Sequence, residues 1–171
     1  MSATATKPPA EAALLRDQAR TIGYVVKIQL DGLTHEDSLI QPHPGGNCLN
    51  WVLGHLVWAY DGTLDALGQK SVMGQGALDR YARGAPPIQE PAQAMAFDDL
   101  VAAWDEAAKR VDAGLGNLTA EAMTRPAPFS PSGDASETLG SLLRTVMFHQ
   151  AYHAGQTAVL RRIAGKEGAI K

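Results

Sequence analysis

The sequence predicts an all-α fold, a four-helix bundle with long connecting loops, on three observations. Four segments repeat apolar residues at steps of three and four, the period of an amphipathic helix. Nowhere do apolar and polar residues alternate over a strand's length, and β-branched residues do not cluster between turns. The 171 residues are the length of one ordinary domain, and four long helices in such a chain suit an up-and-down or crossover bundle.

The first helix is expected from about Glu11 to Leu33. Leu15, Ala19, Ile22, Val26, Gln29 or Leu30, and Leu33 form its inward stripe, and Arg16, Asp17, Arg20 and Lys27 fall away from it. The second runs from about Asn47 to Leu67, with Asn47 as N-cap candidate and Gly68 as its stop. The third runs from about Phe97 to Leu115, burying Leu100, Val101, Trp104, Ala108, Val111 and Leu115, and "LTAEAM" adds a short turn after it. The fourth opens at Asp134-Ala-Ser-Glu137, which resembles a capping box, and ends near Ala164 before Gly165.

Between these lie two long connections, 68–96 with its glycines and prolines and 125–133. Each is either a flexible surface excursion or a cover over one end of the bundle. Residues 1–10 read as a flexible leader, 11–165 as the bundle domain and 166–171 as a short tail.

A formal charge of −3 and a 6% aromatic content, with no basic patch, argue against a nucleic-acid partner. The most apolar stretch, "LNWVLGHLVWAY", is interrupted by His55 and too short to span a bilayer. A single cysteine excludes an internal disulfide framework and fits a reducing compartment. With no secretory signal at the N-terminus, the expectation is a cytoplasmic protein with no membrane partner.

The chemistry concentrates in the histidines. At about 100° per residue, with Leu142 as zero, His149 lies at about −20°, His153 at about +20° and Gln156 at about −40°. That puts both histidines in the middle of the fourth helix's apolar stripe. Two imidazoles at i and i+4 can converge on one ion, or be satisfied separately by backbone or by each other. His55 adds a third, facing Cys48, Trp51, Ala59 and Gly62 on the second helix. Three inward histidines from two helices form a facial N₃ set with open coordination positions, the form of a catalytic rather than a structural metal site.

The remaining candidates rank lower. His35 and His43 read as loop residues, and Cys48 lies about 10.5 Å along the axis from His55, too far to share an ion. Gln150 stands where a zincin needs glutamate, which disfavours a metalloprotease. A carboxylate-bridged di-iron site is disfavoured because no acid lies on the histidine stripe. Gln156 either orients a bound water or substrate or is an ordinary polar helix residue. Trp51 and Trp58 flank His55 by one turn each and serve as core packing or as a substrate platform. Arg80 and Tyr81 contact an anionic substrate if the 68–96 connection folds over the site.

"NCLNWVLGHLVWA", "HQAYHAGQ", "YARG" and "LTAEAM", in that order and spacing, resemble the DinB-like family over roughly Glu11 to Ala164. The resemblance implies a four-helix bundle holding a divalent transition metal (zinc, nickel or iron) on His55, His149 and His153. It also implies a homodimer and a small-molecule substrate. Characterised relatives include thiol-dependent S-transferases, so a low-molecular-weight thiol as cosubstrate and its transfer to an electrophile are the leading expectation. A metal-dependent hydrolase, with water in the thiol's place, and a non-catalytic metal- or ligand-binding bundle connected with stress are the alternatives.

Overall fold

The structure, a computed structural model, describes residues 8–74 and 76–170. Most of the expected flexible leader, residues 1–7, lies outside the described residues. Four long helices carry the fold: α1 (Ala10–Leu30), α3 (Leu49–Leu64), α4 (Phe97–Gly116) and α6 (Leu139–Ile163). Two one-turn helices, α2 (His35–Leu39) and α5 (Ala120–Thr124), sit in the connections, with 3₁₀ turns at Asp65–Leu67, Asp79–Tyr81 and Pro91–Gln93. Among the described residues there is no strand, and a lone antiparallel bridge joins Pro126 to Thr138.

The helix directions follow from which residues meet. Arg16 and Arg20 pair with Asp112, and Lys27 pairs with Asp105, so α1 and α4 run antiparallel. Glu11 pairs with Arg144, and Arg161 donates to the Gln29 carbonyl, so α1 and α6 run parallel. Asn50 bonds the Met95 carbonyl and Tyr60 stacks on Trp104 at 5.2 Å, so α3 and α4 also run parallel. The bundle is therefore up-down-down-up, and α3 is antiparallel to α6.

This topology explains the long 68–96 connection. Two parallel neighbours cannot be joined by a tight turn, because the chain must return the length of a helix, about 25 Å here. The return is a strap along α3 rather than a loose excursion. Leu78, Tyr81 and Ile88 are buried along it, and the Tyr81 ring lies against Gly54, where an added Cβ would come within 2.3 Å of the ring.

Several local expectations are corrected. α1 ends at Leu30, not Leu33, because Gly32 takes a left-handed φ of 69° and turns the chain. The cap of α3 is Cys48 rather than Asn47, and no side chain bonds its first turn. Asp134 does not cap α6. Its carboxylate accepts from Ser136 in a local turn, and Thr138 makes the capping box with Ser141. His35 opens the short helix α2, capped by Thr34, instead of standing in a plain turn. The tail is anchored too, Lys166 pairing with Asp37 at 3.0 Å.

The core is aliphatic and aromatic from all four long helices. The inward residues of α1 match their wheel closely, while on α4 Val101 and Ala108 are only half-buried and Ala103 and Ala107 take the deeper places. On α6 the wheel misplaces the centre. The residues that sink deepest are Leu142, Leu143, Val146, Met147, Gln150, Ala154, Thr157 and Leu160, whose mean direction lies roughly 70° from Leu142. His149, His153 and Gln156 stand on one shoulder of that stripe and are half-buried. Gln150 takes the central place by donating from Nε2 to the Leu56 carbonyl of α3 at 3.0 Å.

Candidate metal centre

His55 comes from the middle of α3, where α3 is buried nearly all round, and is 4% exposed. His149 and His153 come from the shoulder of α6 that faces it. The three ring centroids lie 4.9, 4.8 and 4.5 Å apart, and their ligand nitrogens all fall within 4.8 Å of one another.

Two of the three imidazoles are aimed by hydrogen bonds at the far nitrogen. His55 Nδ1–H donates to the backbone carbonyl of Tyr81 at 2.7 Å. His153 Nδ1–H donates to the side-chain carbonyl of Gln156 at 2.6 Å. Each bond fixes the tautomer and leaves the Nε2 lone pair for a ligand role, the arrangement that second-sphere acceptors give metal-binding histidines. His55 Nε2 and His149 Nε2 are 3.0 Å apart. With His55 protonated at Nδ1, His149 is the donor across that contact. His149 Nδ1 is buried without a partner among the described residues.

Burial pushes all three imidazoles below their ordinary range. For His149 burial, the two neighbouring imidazoles and the Arg83 guanidinium bring it to about 4. For His55, burial outweighs the opposing hydrogen bond to Tyr81, and for His153 it outweighs the bond to Gln156. All three are therefore neutral at pH 7, as metal ligation requires.

A divalent transition metal fits this donor set. Two nitrogens each about 2.1 Å from one ion stand about 3.0–3.4 Å apart at angles from 90° to tetrahedral, and the His55–His149 separation falls at the short end. Three neutral imidazoles without a carboxylate suit zinc, nickel or iron better than magnesium or calcium.

The surroundings show why the neighbouring residues are what they are. Trp51, one turn before His55, stacks on its ring at 4.8 Å, and Trp58, one turn after, stacks at 5.3 Å. Gly54 makes room for the Tyr81 ring. Asn50 accepts from the Tyr81 hydroxyl at 2.9 Å and donates to the Met95 carbonyl at 2.9 Å, while the Met95 amide donates to the same hydroxyl at 2.8 Å. This closed triangle anchors the strap, and the strap's carbonyl holds His55.

The structure thus brings His55, His149, His153, Gln156, Trp51 and Trp58 together. Tyr81 reaches the site through its backbone carbonyl, with its phenol buried in the Asn50 triangle. Arg80 points elsewhere, donating to the carbonyls of Pro86 and Pro87. His43 is exposed. Cys48 is buried, its thiol pushed up by desolvation, in keeping with a small core residue. Sequence reasoning overlooked Asn50, Gly54, the Tyr81 carbonyl and Arg83. The first two stood in the very motif that contains His55, but their partners come from a strap whose path no local pattern reveals.

Comparison with known proteins agrees with this architecture. A family model described as the DinB superfamily matches residues 13–157. Among solved structures, the chain is similar to a conserved protein from Enterococcus faecalis, with a TM-score of 0.68 over 90% of this chain and 97% of that one. At 17% identity that likeness concerns the fold alone. No curated protein matches the sequence.

Proposed function

Because the chain belongs to the DinB superfamily, we propose that it is a divalent-metal-dependent enzyme that transfers a low-molecular-weight thiol to a small electrophile. His55, His149 and His153 are the ligands. The observation that carries this reading is the pair of Nδ1 hydrogen bonds, to Tyr81 and Gln156, that turn two imidazoles toward one point. Bound there, a divalent ion lowers the pKa of a thiol or water and supplies a nucleophile at neutral pH.

The chain's own groups do the rest. The Tyr81 carbonyl and Gln156 keep two ligands in the correct tautomer. Trp51 and Trp58 hold the His55 ring between turns of α3 and limit water around it. No side-chain base is needed, and none of the three histidines hydrogen-bonds a carboxylate among the described residues.

The test begins with protein purified without a histidine tag. Elemental analysis is expected to give a metal-to-chain ratio near unity that is lost in His153→Ala. The metal-loaded protein is then assayed for conjugation of thiols to electrophiles. Absence of metal from the wild-type protein ends this reading. Metal with turnover of water but of no thiol favours the hydrolase, and metal with no turnover favours the binding protein.

For the partner we propose a second copy of the chain. Leu14 on α1 and Phe148 and Tyr152 on α6 are 63%, 73% and 60% exposed. Leu14 and Phe148 flank an apolar groove of about 700 Å³ between these parallel helices. Two such faces related by a two-fold axis would pack α1 and α6 of each copy into a second four-helix layer.

A further inference from the structure

His55, His149 and His153 are neutral and hydrogen-bond no carboxylate among the described residues, so a divalent ion held by them would keep its positive charge and would attract anions. The cation that matters beside it is Arg83. Two residues after the carbonyl that holds His55, Arg83 follows the 3₁₀ turn Asp79–Tyr81 and precedes Gly84, whose φ is 83°. Its Nη1 donates to the Pro131 carbonyl at 3.0 Å. Pro131 lies in the connection that leads into α6, the helix of His149 and His153. Arg83 therefore ties the two long connections together, two residues from the carbonyl that holds His55.

The tether uses one nitrogen only. Nε and Nη2 of Arg83 have no acceptor among the described residues, and the side chain is exposed. Arg80 is the opposite case, with both terminal nitrogens spent on Pro86 and Pro87. A guanidinium held at one corner with its remaining edge open suits a bidentate carboxylate.

We infer that Arg83 is a specificity-determining residue that pairs with a carboxylate carried by a ligand of the histidine site, so that the substrates are small carboxylate-bearing molecules. This rests on the metal-site reading above. The carboxylate belongs either to the thiol or to the acceptor, and Arg83 recognises the same group in both cases.

The probe is the Co²⁺-loaded protein, whose visible spectrum reports thiolate binding without turnover. In the first arm it is titrated with 3-mercaptopropionate and with 2-mercaptoethanol. In the second, protein already saturated with 2-mercaptoethanol is titrated with propionate. In at least one arm the carboxylate is expected to bind with about tenfold preference; in the second arm the reference is a neutral analogue, propionamide. That preference disappears in Arg83→Gln and survives in part in Arg83→Lys, with Co²⁺ affinity unchanged. A wild-type protein without preference in either arm, or a preference intact in Arg83→Gln, overturns the inference while leaving the metal site standing. Failure to bind Co²⁺ removes both.

Discussion

The backbone carbonyl of Tyr81 accepts a 2.7 Å hydrogen bond from Nδ1 of His55. One residue belongs to a crossover strap and the other to the centre of a bundle helix, so the strap's position sets the imidazole's tautomer. Anything that lifts Tyr81 from α3 should therefore be felt at the proposed metal site.

Gly54→Ala is the sharpest such change. The new Cβ would lie 2.3 Å from the Tyr81 ring, which is fully buried and cannot step aside. Overpacking of this kind costs about 1–3 kcal/mol. The expected outcome is a lower melting temperature together with weaker metal binding. Gly62→Ala, on the same helix with open space around it, is expected to leave metal binding unchanged and to stabilise by up to ~1 kcal/mol. Equal behaviour of the two variants would contradict the role given to the Tyr81 contact.

Gln156 holds His153 from one turn away. Replacing it by leucine removes the acceptor and is expected to weaken metal affinity about 10- to 100-fold. Gln156→Glu keeps an acceptor at the same reach and should retain most of the affinity. Competition with a metal-binding dye measures both, and a leucine variant that binds as tightly as wild type would show that the bond is incidental.

Asp112 ties α1 to α4 by accepting from both Arg16 and Arg20. Chiefly through the hydrogen bond from Arg16, its carboxyl is held down at about 2, against 3.8 for the unperturbed group. Between those values the unfolded chain takes up a proton that the folded chain refuses, so stability falls as pH drops from about 4 to 2. The pair is partly exposed, which limits the loss to about 1 kcal/mol. Urea unfolding as a function of pH should show this step in wild type and its absence in Asp112→Asn.

Phe148→Glu places a charge in the middle of the proposed dimer face. Light scattering is expected to give a dimer for wild type and a monomer for the variant, with helix content unchanged. A wild-type monomer at tens of micromolar would dispose of that interface.

Much of this protein is legible in its sequence because it is local. The α1 and α4 stripes are 3.6-residue periods; the buried residues of α1 follow theirs nearly one for one, and those of α4 keep Leu100, Trp104, Val111 and Leu115 while Ala103 and Ala107 sink deeper than Val101 and Ala108. The i, i+4 spacing of His149 and His153, and the inward face of His55, likewise need only helix geometry. That is why the three site histidines could be chosen before any contact was known. The α6 wheel went astray for a different reason. Gln150 is polar in the sequence yet wholly buried, because the Leu56 carbonyl receives its amide. A polar residue whose amide nitrogen is bonded by another helix turns the true core face away from the one that apolar residues alone suggest.

What the sequence determined by itself was therefore the helices and the inward-facing histidines, since both depend on a residue's near neighbours along the chain. Only the tertiary structure decided the up-down-down-up order, the path of the strap and the acceptors at Tyr81 and Gln156. It also put Arg83 in contact with Pro131. These depend on which distant groups satisfy each other's hydrogen bonds and charges, and residues such as Asn50 and Met95, 45 positions apart, carry no sign of one another until the chain folds.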